Sequence, residues 1–143
     1  MGSIEKSAEF PVSPEKLWDV VGNPSRFDEW LNMHVKWKNE VPADLHPGVQ
    51  LVQVASVLNM PNTITWTIDE YEAPKVIKLS GTGMAGVKIS LTSTIAPTDV
   101  GSTVTFQTDF EGQMLVGAIG AAVEKAGLND LDLSLAKLTT ILG

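Results

Sequence analysis

Apolar and polar residues alternate along most of this chain, and the breaks in the alternation mark off its elements. Residues 3–12 set Ile4, Ala8, Phe10 and Val12 on one side and Glu5, Ser7 and Glu9 on the other, with Lys6 the exception, the pattern of a half-buried strand. Ser13-Pro14-Glu15 then supplies a capping hydroxyl, a proline at the first helical position and an early acid, and Leu17, Val20 and Val21 follow at helical spacing. Gly22 closes that short helix. Asn23-Pro24-Ser25 repeats the start signal for a second one, whose Phe27, Trp30 and Leu31 share a face.

From residue 34 to about 112 the period is two. Extended runs are expected over about 34–41, 49–59, 62–73, 75–83, 86–97 and 101–112, separated by Gly, Pro, Asn and Asp clusters. Ile64, Trp66 and Ile68 oppose Thr65, Thr67 and Asp69; Val87, Ile89, Leu91 and Ile95 oppose Lys88, Ser90, Thr92 and Thr94; Val104, Phe106 and Phe110 oppose Thr103, Thr105, Gln107 and Asp109. The connections are too short for crossover helices, so sequential strands pair antiparallel in a meander. From Leu115 to Leu142 there is no proline, and Ile119, Val123, Ala126, Leu131, Leu135, Leu138 and Leu142 recur every three or four residues, which predicts one long amphipathic helix, bent near Gly127. It would span about 42 Å.

The chain has 143 residues, enough for a single domain, 1–143, with its own core. Its 10 basic and 17 acidic residues give a net charge of −7, which disfavours nucleic acid and anionic lipid surfaces as partners. There is no cysteine, so disulfides, thiolate nucleophiles and cysteine-held metals are excluded, in keeping with a cytoplasmic protein. Residues 1–6 carry no apolar export segment, and the longest apolar run, Met114 to Val123, is too short to insert in a membrane and reads as buried.

A strand, two short helices, six more strands and a closing helix make an α+β order, in which one curved seven-stranded antiparallel sheet wraps a single long C-terminal helix. One helix cannot fill the whole concave face. At about 24 cal/mol per Å³, an empty 500 Å³ gap would cost roughly 12 kcal/mol, so the space is expected to hold water, a ligand or large side chains.

Phe10-Pro11-Val12-Ser13-Pro14-Glu15-Lys16-Leu17-Trp18-Asp19-Val20-Val21, followed by Asn23-Pro24 and Trp30, resembles the opening of the START/Bet v 1-like (SRPBCC) superfamily of helix-grip proteins. Gly101-Ser102-Thr103-Val104-Thr105-Phe106 is similar to that superfamily's signature before the closing helix. The likeness in element order covers essentially the whole chain. Trp30-Leu31-Asn32-Met33-His34, Gly48, Met60-Pro61-Asn62 and Trp66-Thr67-Ile68 resemble a group of small actinobacterial members, some labelled polyketide cyclase/dehydrase and at least one labelled the toxin of a toxin–antitoxin pair. In cyclase members the resemblance implies an arginine in the pocket; here the one arginine, Arg26, falls on the exposed side of the second helix, and the one tyrosine, Tyr71, falls opposite Trp66, which argues against cyclisation.

Other chemistry is sparse. Gly81-Thr82-Gly83-Met84-Ala85-Gly86 spells G-x-G-x-x-G, but a strand follows where a dinucleotide site needs a helix N-terminus, so it reads as a glycine-rich hairpin and no cofactor is expected. His34 and His46 have no partner at metal-ligand spacing, and no serine sits in a nucleophile elbow. His34 opens a strand near the expected pocket mouth, and Glu70 falls by alternation on the Trp66 side; these are the candidate polar anchors. Thr108 lies between Phe106 and Phe110. The candidate lining is Trp30, Met33, Trp37, Val54, Trp66, Ile68, Leu79, Met84, Leu91, Phe106, Thr108, Ile119 and Val123, bulky apolar positions that either line a cavity or fill it. The leading expectation is a binding protein for a small hydrophobic or amphipathic ligand of lipid, polyketide or isoprenoid type, with no catalytic residue assigned. Two alternatives stay open, a cyclase or dehydrase using His34 or Glu70, and a toxin acting on a protein partner.

Overall fold

The computed structural model describes residues 2–83, 86–113, 115 and 117–142. Strand β1 (Gly2–Phe10) leads to helix α1 (Pro14–Val21), a 3-10 turn (Pro24–Arg26) and the single-turn helix α2 (Phe27–Trp30). Then come β2 (His34–Trp37), β3 (Gln50–Val57), β4 (Met60–Glu72), β5 (Val76–Thr82), β6 (Lys88–Pro97), β7 (Ser102–Glu111) and helix α3 (Gly117–Leu142). The strands form one seven-stranded antiparallel sheet in the order β1-β7-β6-β5-β4-β3-β2, so the chain meanders from β2 to β7 and β1 closes the edge beside β7. The sheet curls around α3 as a helix-grip fold, in the arrangement expected from the alternation of the strands and the length of the last helix.

Capping decides where the short helices begin. The Ser13 Oγ accepts the Lys16 backbone N–H at 3.2 Å ahead of Pro14, and the Asn23 Oδ1 accepts that of Ser25 at 3.1 Å ahead of Pro24. The join between β1 and β7 depends on Gly101, where any Cβ would run into the Phe10 carbonyl oxygen, and on Ser102, whose hydroxyl donates to the Val12 carbonyl at 2.8 Å.

Three expectations need correction. Strand β2 stops at Trp37 rather than continuing to 41: Lys38 makes one more backbone bond, to Val52, and then the Asn39 side chain replaces the ladder by accepting the Val52 N–H at 2.9 Å. In β4 the pairing slips between Ile68 and Glu70, a bulge that reverses the alternation, so Glu70 is exposed and Tyr71 turns inward. Tyr71 there packs on Trp18, with ring centroids 5.4 Å apart, and its hydroxyl donates to the Gly22 carbonyl at 3.3 Å; burial raises its pKa. The apolar run at the start of α3 is not wholly buried, for Ile119 is 52% exposed. As expected, α3 is a single helix, over Gly117–Leu142, and Gly127 marks a close approach, since a Cβ there would lie 2.6 Å from the Ile4 Cδ1. Among the described residues no helix is long and apolar enough to cross a membrane.

An aromatic cluster packs beside α2. Trp30 is almost fully buried, stacks on Phe106 with centroids 5.2 Å apart, and donates its indole N–H to the Val20 carbonyl at 3.2 Å. Phe27 meets Trp30 edge-on at 5.5 Å and Trp37 at 5.8 Å. Trp30→Ala is therefore expected to lower unfolding free energy by about 3–5 kcal/mol, read from urea denaturation; a loss under about 1 kcal/mol would show that this aromatic stack is not a keystone of the core.

Candidate functional site

Between the sheet and α3 lies a cavity of about 210 Å³. From α3 a stripe at helical spacing reaches it: Ile119, Val123, Ala126, Gly127, Asp130, Leu131 and Ser134. Between the first and last of these the helix axis runs about 22 Å. The sheet contributes Ile4, Ile64, Trp66, Ile89, Leu91, Thr108 and Phe110, and the α2–β2 link gives Leu31 and Met33. The β3–β4 hairpin adds Val57, Leu58, Met60 and Asn62, and the β5–β6 connection adds Gly83 and Val87. Leu115 completes the lining. Leu58 and Asn59 both adopt positive φ, 53° and 63°, as a two-residue hairpin turn requires, and Leu58 and Met60 are 44% and 53% exposed at the rim.

The polar side chains in this lining are Asn62, Thr108, Asp130 and Ser134; no lysine, arginine or histidine is among the described lining residues. Two of the four are held in a network that ties α3 to the α2–β2 link. The Asn32 backbone N–H donates to the Ser134 Oγ at 2.9 Å, the Asn32 Nδ2 to the Asp130 Oδ1 at 2.6 Å, and the Lys137 Nζ to the Asn32 Oδ1 at 3.1 Å. The Ser134 hydroxyl donates in turn to the Asp130 carbonyl at 2.8 Å.

Of the candidate lining, Met33, Trp66, Leu91, Thr108, Ile119 and Val123 reach the cavity. The others are placed elsewhere. Trp30 and Phe106 stack in the core, and Ile68 and Leu79 are a buried cross-strand pair beyond the cavity. Trp37 is turned toward α2 by its indole N–H, which donates to the Pro24 carbonyl at 2.9 Å. Val54 lies on the outer face, because Leu51, Gln53 and Ala55 take the buried positions of β3. Met84 falls outside the described residues. The bulge removes Glu70, and Arg26 is paired on the surface with Glu29 at 2.7 Å. Parity along the strands already put Ile64, Ile89 and Phe110 on the same faces as Trp66, Leu91 and Thr108, so a signal for them existed; Asp130 and Ser134 had none, as polar positions on a helix.

His34 stands behind the cavity wall rather than in it. The Trp66 indole N–H can only donate, and it meets the Gln53 Oε1 at 2.9 Å, so the Gln53 amide nitrogen faces the His34 Nδ1, 2.7 Å away, and His34 must accept there. Gln53, 1% exposed on the inward face, is thus satisfied at both ends only while the imidazole is neutral at Nδ1. Burial among Phe27 and Trp37 lowers the His34 pKa below 6.5, opposed in part by the nearby Asp28 carboxylate. A second depression, about 760 Å³, lies open on the sheet and is lined chiefly by hydroxyls and charges such as Thr65, Thr67, Ser80, Ser90, Lys88 and Asp109. Water competes at every one of those groups, so it lacks the dry wall of the first cavity.

A curled antiparallel sheet closed by one long helix, with an apolar hollow between them, defines the helix-grip class. Over residues 1–143 the chain belongs to the family described as polyketide cyclase / dehydrase and lipid transport. It is 36% identical to the Mycobacterium tuberculosis protein Rv1546 over 143 residues, covering 100% of both chains, and 35% identical over 141 residues to a protein of the same organism named Toxin Rv0910, covering 99% of this chain and 98% of that one. A START superfamily protein from Mycobacterium smegmatis shares the fold with a TM-score of 0.77, covering 99% of both chains at 17% identity. The family supports a ligand-binding or cyclase-like role.

The His34 arrangement makes a pH prediction. With a folded pKa below the ordinary 6.5, the unfolded chain takes up the proton first, so the contribution of His34 to stability is complete above about pH 6.5 and is lost as the pH falls below it. Between pH 8 and 5.5 the urea midpoint of the wild type should fall further than that of His34→Asn. Equal falls would show that the Trp66–Gln53–His34 chain does not depend on the neutral ring.

Proposed function

We propose that this chain binds a small apolar or amphipathic molecule between α3 and the sheet. The observation that carries the reading is the 210 Å³ cavity with its nearly unbroken hydrocarbon wall, opening at a rim of exposed Leu58, Met60 and Ile119. Size narrows the ligand. A cavity of about 150 Å³ holds one benzene, so this one encloses about eight carbons, a substituted benzene ring or a short alkyl segment. A full-length lipid or long polyketide would have to leave part of itself outside. Burial drives the affinity, at about 2.5 kcal/mol for each 100 Å² of apolar ligand surface before ordering costs.

The neutral dye N-phenyl-1-naphthylamine should gain fluorescence on binding, and Ala126→Phe, which places a ring in the cavity from α3, should weaken that binding at least tenfold. An unchanged dye affinity in a folded Ala126→Phe variant would refute this location. Absence of binding to the wild type by both the dye and ethylbenzene, an eight-carbon aromatic of the size the cavity encloses, would refute the function.

The likeness to Toxin Rv0910 supports a second reading, in which the domain engages a protein target and ligand occupancy sets its activity. Induced expression in a mycobacterial host should then arrest growth, and co-expression of an adjacent small gene product should relieve the arrest; normal growth at high expression would count against it.

A further inference from the structure

Resting on the ligand-binding reading, the geometry points to a selectivity: the cavity takes a linear amphiphile whose head is a cation or a neutral hydrogen-bond donor, an alkylamine or alcohol rather than a carboxylate or phosphate. Asp130 is the one charged side chain in the described lining. It sits near one end of the α3 stripe, with Ile119 at the other, so a chain laid along the stripe with its tail toward Ile119 can bring its head to the carboxylate. The Asn32 amide holds the Asp130 Oδ1 at 2.6 Å, while the Oδ2 has no donor among the described residues. That leaves a fixed acceptor in an enclosure whose other polar side chains, Asn62, Thr108 and Ser134, are uncharged.

Neighbouring groups do not supply an anion site. The Ser134 hydroxyl donates to the Asp130 carbonyl, and the Lys137 ammonium is held by the Asn32 Oδ1. An anionic head beside Asp130 would face a like charge, whereas an ammonium or hydroxyl completes the vacant half of the carboxylate. Charge-assisted hydrogen bonds of this kind discriminate by more than tenfold where the site is partly desolvated.

The test compares octylamine, 1-octanol and sodium octanoate, equal in chain length and below their micellar concentrations, as competitors of N-phenyl-1-naphthylamine. The assay is run in 0.3 M salt, where long-range attraction from the net charge of −7 is screened. Octylamine is expected to compete at least tenfold more tightly than octanoate, with octanol closer to the amine, and in Asp130→Asn the amine-to-octanoate ratio should collapse to within about threefold. Binding of all three chains with equal affinity, or tightest binding by octanoate, overturns the selectivity and leaves the cavity reading intact. Survival of the amine preference in Asp130→Asn overturns the role of Asp130. Binding of none of the three, with no dye binding, overturns the cavity reading and this inference together.

Discussion

The structure depends on how α3 is held across the open face of the sheet. It is pinned at two places, and its C-terminal turns pack into the core through Leu138 and Leu142. At Gly127 the helix comes close enough to β1 that the Ile4 side chain occupies the space a Cβ would take. Near Asp130 and Ser134 it is tied to the α2–β2 link through both the backbone and the side chain of Asn32. The Lys6–Asp132 pair, 3.3 Å apart but exposed on both sides, adds little by comparison. Because these pins lie toward the middle and C-terminal part of the helix, its first turns are left over the β3–β4 and β5–β6 connections, where Ile119 is half exposed.

Two chemistries divide the interior accordingly. Next to α2, flat rings fill space completely: Trp30 against Phe106, Phe27 against Trp30 and Trp37, each indole N–H donated to a carbonyl or to Gln53. Toward the cavity the wall is mostly aliphatic. Trp66 stands between the two regions, with one side toward the cavity and its N–H fixed by the Gln53–His34 chain, so the cavity wall and the edge strand β2 share one hydrogen-bonded line. Gly81, opposite Trp66 on β5, leaves room for the indole; a Cβ there would lie 2.9 Å from the ring.

The element order, the antiparallel meander and the closing helix were legible in the chain because they follow from local rules: capping residues ahead of Pro14 and Pro24, a period of two through the strands, and a period near 3.6 from residue 117 on. The inward faces of β6 and β7 were equally legible, since Leu91 and Thr108 point where alternation put them. Glu70 and Tyr71 exchanged faces because one extra residue at the β4 bulge shifts the parity of all that follow, and a bulge is set by the pairing of two strands, not by one of them.

What the sequence determined by itself was thus which side chains could face inward, a property of each element's own geometry. Only the tertiary structure decided which of them line the hollow and which close it. That depends on where a helix some 40 Å long crosses the sheet, and the crossing is set by long-range contacts, Gly127 on Ile4 and Asn32 on Asp130, between residues that no local periodicity connects.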